Sequence, residues 1–312
     1  MTRCLLIAGP TASGKTALAL EAARRLDGEI VNADSMQIYA GLSLITARPS
    51  PEEVAQAPHH LFGTVDPSER FSVGMWSEAA LGCIADIRSR GRVPILVGGT
   101  GLYFSALVRG LAFVPEIGAT SRARAADLLE EGGLTALRAE ADRLDPVAAA
   151  RVADADRQRL LRIVEVGYET GRPLSEFQAE TRPLLAETEW QGVVIEPDRD
   201  ELYRRIELRF DRMMEAGALD EVRDFAARGL SPDLPAMKAL GVPPLIAAID
   251  GDMPLDAAVV QAKQDSRRYA KRQMTWFRNQ TATWPRIRSC DPAAASVQLA
   301  DILREGDWNG LD

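Results

Sequence analysis

From the amino end, polar and apolar positions sort into short blocks with different periods. Residues 3–8 (Arg-Cys-Leu-Leu-Ile-Ala) form a short apolar run that stops at Gly9-Pro10. A run this short and unbroken predicts a strand buried on both faces. Ala17 to Leu26 reads as a helix. Glu29-Ile30-Val31-Asn32-Ala33 predicts a second strand that delivers Asp34 at its carboxyl end, and Val93 to Val97 a third, ended by Gly98-Gly99. Helical material separates them, notably Ser77 to Ser89. Strands alternating with helices predict a parallel sheet covered on both faces. In such sheets ligands bind beyond the carboxyl ends of the strands, where Gly14, Asp34 and Gly99 all fall.

The pattern changes from about residue 113. Arg122–Glu131, Leu134–Leu144 and Gln158–Thr170 are rich in Ala, Leu, Arg and Glu at helical spacing, with no convincing strand. Gly192-Val193-Val194-Ile195 returns to the sheet. Helices follow at about Arg199–Ala216 and Ala218–Arg228, then a Pro/Gly-rich stretch at 229–244 and a long helix at about Leu255–Arg278. The expected fold is α/β: a parallel sheet core covered by helices, residues 1–112 plus 190–312, with an all-helical insertion domain at 113–189.

Composition narrows the class. With 46% hydrophobic and 26% charged residues the chain is an ordinary globular protein. No apolar run is long enough to span a bilayer and no leader pattern opens the chain. Cys4, Cys83 and Cys290 are scattered, as expected of reduced thiols in cytoplasm. A net charge of −8 argues, taken alone, against a nucleic-acid partner. Its distribution is uneven, however: Lys263 to Arg278 holds six basic residues against one acid, Asp265.

Candidate chemistry starts at Gly9-Pro10-Thr11-Ala12-Ser13-Gly14-Lys15-Thr16, which fits G-x-x-x-x-G-K-[ST] with a strand before it and a helix after. Such a P-loop curls backbone N–H groups round a phosphate, and the helix amino end adds partial positive charge. Lys15 is expected to pair with phosphate oxygens and Thr16 to ligate Mg²⁺. An ATPase should carry a later strand ending in an acid. Here that strand ends in Gly98-Gly99-Thr100-Gly101, and the well-placed acid is Asp34. A kinase or another reaction with a diphosphate leaving group remains.

Six segments, in order, resemble the tRNA dimethylallyltransferase family: Gly9–Thr16 (GPTASGKT), Asp34–Tyr39 (DSMQIY), Pro58–Leu61 (PHHL), Pro94–Phe104 (PILVGGTGLYF), Arg205–Phe210 (RIELRF) and Tyr269–Phe277 (YAKRQMTWF). They span nearly the whole chain. The resemblance implies a P-loop core, an insertion that grips the tRNA anticodon stem-loop, and transfer of dimethylallyl from its diphosphate to the adenosine 3′ of the anticodon. It implies Mg²⁺ as cofactor, no membrane, and a monomer. It makes Asp34 the base that takes a proton from the adenine amino group, chemistry a carboxylate within hydrogen-bond reach can do. The plainer reading of Asp34 is a helix cap or an outer Mg²⁺ ligand. Ser35, Met36 and Gln37 would receive the flipped nucleotide, with Gln37 on a base edge. Thr100 and Arg209 match the family's remaining diphosphate contacts, and Thr100 also faces tRNA.

From the residues alone Arg205 and Arg209 read as a solvated pair held by Glu207 and Asp211, on a helix whose buried stripe is Ile206, Phe210 and Met213; the resemblance promotes Arg209 only. Lys263, Arg267, Lys271 and Arg278 share one helix face, widened by Arg268 and Arg272; from the residues alone such a stripe is more often a solvated face, and with the resemblance it is expected to meet RNA phosphates. Of these the tRNA contacts are assigned to Lys271 and Arg272. In the insertion, Gln158, Arg159, Leu160, Leu161 and Arg162 match a tRNA-contacting segment, with Arg122 near the hinge. His59-His60 lacks further ligands for zinc; the resemblance places it in the core near the loop beside the site, and a structural or positioning role is expected. The chain departs from the family pattern at Ser43, Ile45, Arg48, Gly63, Val152–Asp156 and Val242. Rival readings are a small-molecule or nucleotide kinase, a prenyltransferase acting on free AMP or ADP, and an RNA-binding module with a vestigial P-loop.

Overall fold

Strand β1 (Cys4–Ala8) is buried at every position, as a run without polar alternation must be when both its faces are covered. In the computed structural model, which describes residues 2–308, β1 lies inside a parallel sheet ordered β3-β2-β4-β1-β5-β6. The other strands are β2 (Gly28–Asn32), β3 (His59–His60), β4 (Val93–Gly98), β5 (Trp190–Ile195) and β6 (Arg286–Ile287). The edge strands β3 and β6 were not legible in the sequence, because two residues cannot show a period of two.

The chain divides into two compact units, residues 1–108 with 185–312 and residues 109–184. These boundaries fall a few residues before the expected 113 and 190. In the sheet unit α1 (Lys15–Leu26), α2 (Pro51–Val54), α3 (Val73–Ser89) and α4 (Gly101–Arg109) alternate with the strands. Successive strand residues point to opposite faces. Leu6, Val31, Leu96 and Val194 pack with Trp76, Phe104, Phe277 and Trp284. Leu5, Ile7, Ile30, Ile95 and Val193 pack with Leu18 and Leu26 of α1.

The second unit is helical: α5 (Ala119–Leu144), α6 (Pro146–Ala149), α7 (Arg157–Thr170) and α8 (Leu174–Ala179). Gly133, at φ 65° and ψ −169°, kinks α5 where the sequence predicted two helices. The unit has its own core of Ala125, Leu137, Ala141, Leu160, Ile163 and Val164. Back in the sheet unit come α9 (Arg199–Glu215), α10 (Ala218–Ala226), α11 (Val242–Ile249), α12 (Leu255–Gln280) and α13 (Pro292–Glu305). Ile206, Phe210 and Met213 are the buried stripe of α9, as their spacing predicts.

Candidate active site

Between β1 and α1 the chain turns through Gly9–Gly14. Gly14 has φ 90°, a left-handed value that costs glycine nothing, so the loop runs straight into the first turn of α1. Thr11 to Thr16 line a cavity of about 450 Å³ with Arg48, Asp34 and, from α9, Arg205, Arg209 and Arg212. Arg205 donates from Nε to the Ala12 carbonyl (3.1 Å), and Arg209 donates to the Thr11 hydroxyl. The solvated-pair reading of these arginines is corrected: Glu207 pairs with Arg267 and Asp211 with Lys263, which leaves both arginines to the loop. Arg205 and Arg212 therefore join the candidate residues.

Lys15 donates from Nζ to the Pro10 carbonyl at 2.7 Å. Burial lowers its pKa to about 8, although the Asp34 carboxylate works the other way. Burial also lowers that of Arg209 to about 10, again against Asp34. Cations packed together away from water, with a single carboxylate offsetting them, are stabilised by the further negative charge that a phosphate supplies. The Ser13 hydroxyl, on a residue 1% exposed, has no hydrogen-bond partner among the described residues. An orphaned hydroxyl in a cationic wall fits an anionic ligand as well.

Asp34 follows β2 and borders the same cavity. Buried Asn32 holds it: Oδ1 accepts the Asp34 N–H (2.8 Å), and Nδ2 donates to the Asp34 and Leu61 carbonyls (3.0 Å each). Asp34 Oδ1 accepts the Met36 N–H at 2.9 Å, a local turn that fixes the carboxylate's orientation. Asn32 was missed in the sequence because it reads there as an ordinary strand residue. β4 pairs with both β2 and β1, so the turn after it lies between Asp34 and the phosphate loop. At Gly98 a Cβ would sit 1.9 Å from the Ala33 carbonyl oxygen, so only glycine lets these strand ends meet. Thr100 Oγ1 accepts the Ser35 N–H (2.9 Å) and donates to Ser35 Oγ (3.2 Å).

A second cavity of about 260 Å³ adjoins the first. Thr11, Asp34, Thr46 and Arg209 line both, and Met36, Ile45, Phe210, Met213, Leu240, Tyr269 and Arg272 line the second. One end of the space is cationic and the other more apolar, although Lys238 and Arg272 also border it, with a carboxylate where they meet. Ile45 is buried and packs close against Gly241, and Glu221 of α10 accepts hydrogen bonds from Ser43, Leu44 and Ile45, pinning this loop.

Other expected residues fall less simply. Gln37 donates from Nε2 to the Thr46 and Ala47 carbonyls (2.9 Å each), so its amide holds that loop, and no donor of it is left for a base edge without breaking these bonds. Leu160 is buried in the helical core, and its side chain cannot reach RNA. Gln158, Arg159, Arg162 and Arg122 are exposed and Leu161 half-buried. Arg159 and Arg162, with Arg151 and Gln178, line a cavity of about 320 Å³ within the helical unit. On α12 the broad basic stripe is corrected: Lys263, Arg267 and Arg278 are paired with Asp211, Glu207 and Glu196. Lys271 and Arg272 remain exposed, Arg272 lying over the Tyr269 ring. His60 Nε2 meets the Glu29 carboxylate at 2.6 Å, a structural use, while His59 Nδ1 meets the Ala57 carbonyl at 2.7 Å and the residue lines the first cavity, its buried Nε2 without a partner among the described residues.

Among the described residues no group of three His, Cys, Asp or Glu side chains gathers to hold a metal. Thr16 in the cavity wall suits Mg²⁺ bound mainly through substrate phosphates and water. Glu53, the other carboxylate in the first cavity, is tied into the capping box of α2. Glu196, just past β5, is paired with Arg278, Arg286 and Arg288.

The fold and site are those of an α/β protein with a cationic cavity at the carboxyl edge of its sheet and the Asp34 carboxylate in its wall. A family model described as IPP transferase matches residues 37–280, and one described as isopentenyl transferase matches residues 2–60. The tRNA dimethylallyltransferase of Maricaulis maris (strain MCS10) is 68% identical over 303 residues, covering 97% of this chain and 98% of that protein. The tRNA dimethylallyltransferase of Caulobacter sp. (strain K31) is 54% identical over 291 residues, 93% of this chain and 94% of its own. Among solved structures, the tRNA isopentenylpyrophosphate transferase of Bacillus halodurans is 33% identical with a TM-score of 0.69, covering 100% of this chain and 99% of that one. A eukaryotic dimethylallyltransferase acting on tRNA reaches a TM-score of 0.84 at 25% identity, covering 99% of this chain and 80% of that one. The chain belongs to the IPP transferase family.

Proposed function

We propose that this protein transfers the dimethylallyl group of dimethylallyl diphosphate to the exocyclic N6 of the adenosine 3′ of the anticodon in tRNA, releasing diphosphate. The observation that carries the reading is the position of Asp34 at the junction of a cationic cavity and a more apolar one. The phosphate loop, Lys15, Arg205 and Arg209 hold the diphosphate. The dimethylallyl carbon next to it then lies towards Asp34. As the N6–carbon bond forms and the carbon–oxygen bond breaks, Asp34 accepts the N6 proton and the electron pair leaves with diphosphate. Fixed cations and N–H groups aimed at the departing oxygens lower the barrier, since they need no reorganisation. Mg²⁺ at Thr16 supplies further charge neutralisation when bound.

Arg272, which borders the second cavity, and the exposed Lys271 beside it in sequence, with Arg122, Gln158, Arg159 and Arg162 on the helical unit, are the proposed tRNA contacts. A kinase reading is less well supported, because the acid past β5 is spent on three arginines. No helix among the described residues is long and apolar enough to cross a membrane, and the reading places the enzyme with its tRNA in the cytoplasm. The test is incubation with labelled dimethylallyl diphosphate, Mg²⁺ and unmodified tRNA, followed by nucleoside analysis. Label in an N6-substituted adenosine is expected; consumption of ATP without prenylated nucleoside would favour the kinase.

A further inference from the structure

Gln273 of α12 is 5% exposed, and its side-chain amide spans two loops of the site. Oε1 accepts the Thr11 N–H at 2.9 Å, and Nε2 donates to the Gly99 carbonyl at 2.8 Å. A Cβ at Gly99 would lie 2.3 Å from Nε2, so the fit has no slack. Each loop leads on to a reacting group. Thr11 carries the hydroxyl that accepts from Arg209, on the diphosphate side. Gly99 precedes Thr100, whose hydroxyl holds the Ser35 N–H beside Asp34, on the acceptor side. Tyr269, one turn earlier on α12, lines the second cavity with Asp34 and Ser35.

We propose that Gln273 is a positioning residue for the transfer, its one amide setting the spacing between the diphosphate cradle and the Asp34–Thr100 side. The inference rests on the dimethylallyl-transfer reading. An in-line displacement needs leaving oxygen, carbon and nucleophile aligned, and a misplacement of about 1 Å costs roughly 10²-fold in rate. A glutamine supplies a donor and an acceptor in fixed relation, as this pair of partners requires. An ionised carboxylate at the same place still accepts from Thr11 but meets the Gly99 carbonyl oxygen with no proton. A protonated carboxyl restores both bonds, and burial favours the protonated form.

The experiment is steady-state kinetics of Gln273→Glu beside wild type, from pH 8.5 down to 6, with dimethylallyl diphosphate and tRNA. At the alkaline end kcat is expected to fall by about 10²-fold while either KM changes by less than about threefold. The variant-to-wild-type ratio of kcat then rises as pH falls, by up to about tenfold per unit. A side chain that merely fills space gives no such pH recovery. A flat ratio, or a loss confined to KM, overturns the inference. If Gln273→Glu does not fold, Gln273→Leu replaces it: a kcat loss with KM retained supports the inference, and unchanged kcat overturns it. A wild type that transfers no prenyl group sinks the reaction and the inference together, whereas an active wild type beside a pH-flat variant sinks the inference alone.

Discussion

Donor binding should weaken as pH rises above about 8, because the empty site already strains to keep Lys15 charged. Its pKa is lowered from 10.5 to about 8 by burial, against Asp34. A bound diphosphate restores a counter-charge and raises that value, so binding above about pH 8 must take up a proton. The donor's own phosphates are ionised by then, phosphate monoesters having a second pKa of about 6. Proton uptake on binding should be about one half at pH 8 and approach one at pH 9, with affinity falling up to about tenfold per unit. For stability the sign is opposite. The unfolded lysine holds its proton up to its ordinary value while the folded one loses it near 8, so the unliganded protein gains stability from this group as pH rises through that window. Calorimetry with dimethylallyl diphosphate, without tRNA so that no transfer occurs, in two buffers of different ionisation enthalpy reads the uptake directly. Affinity and proton count that stay flat from pH 7 to 9.5 would show that Lys15 is already fully charged in the empty site, against this prediction.

Other consequences are more local. Gly98→Ala forces a methyl group into the Ala33 backbone and should destabilise the fold by about 3 kcal/mol or more, read as a lower urea midpoint. Glu221→Ala removes the acceptor of the Ser43–Ile45 hydrogen bonds and should cost about 1–3 kcal/mol, with faster proteolysis of that loop. Removing the charges of Lys271 and Arg272 should flatten the salt dependence of tRNA binding by about one unit of slope for each phosphate no longer neutralised. Removing Lys263 and Arg267, which are neutralised within the protein, should leave that slope unchanged.

How much of this was legible depended on how locally each feature is encoded. The phosphate loop, the central strands and the helical stretch carry their own periods and turn residues, and their boundaries moved by only a few positions. Asp34 was legible because a strand end in a parallel sheet is where ligands bind. Asn32, Gln273 and the loop-binding role of Arg205 were not. Asn32 acts on Asp34 only two residues on and reads as an ordinary strand residue, whereas Arg205 and Gln273 act through partners far away in sequence, Gln273 lying 262 residues from Thr11. The basic stripe of α12 misled for the same reason. Its spacing is real, yet Asp211, Glu207 and Glu196, which neutralise half of its six cations, lie on other segments. Charge on a helix face shows where a cation is, and only the fold shows whether it is already spent.

The proposed reaction turns on Asp34 taking the proton from the acceptor nitrogen between two occupied cavities. Asp34→Asn keeps an oxygen for the Met36 N–H, so the local turn should survive while the carboxylate's basicity and charge are lost. Single-turnover transfer from dimethylallyl diphosphate to tRNA is the decisive measurement, with diphosphate and tRNA affinities determined on the same variant. The expected result is a rate lowered by roughly two to four orders of magnitude with both affinities within about threefold of wild type. An Asp34→Asn protein that transfers at the wild-type rate would contradict the assignment of Asp34 as the base.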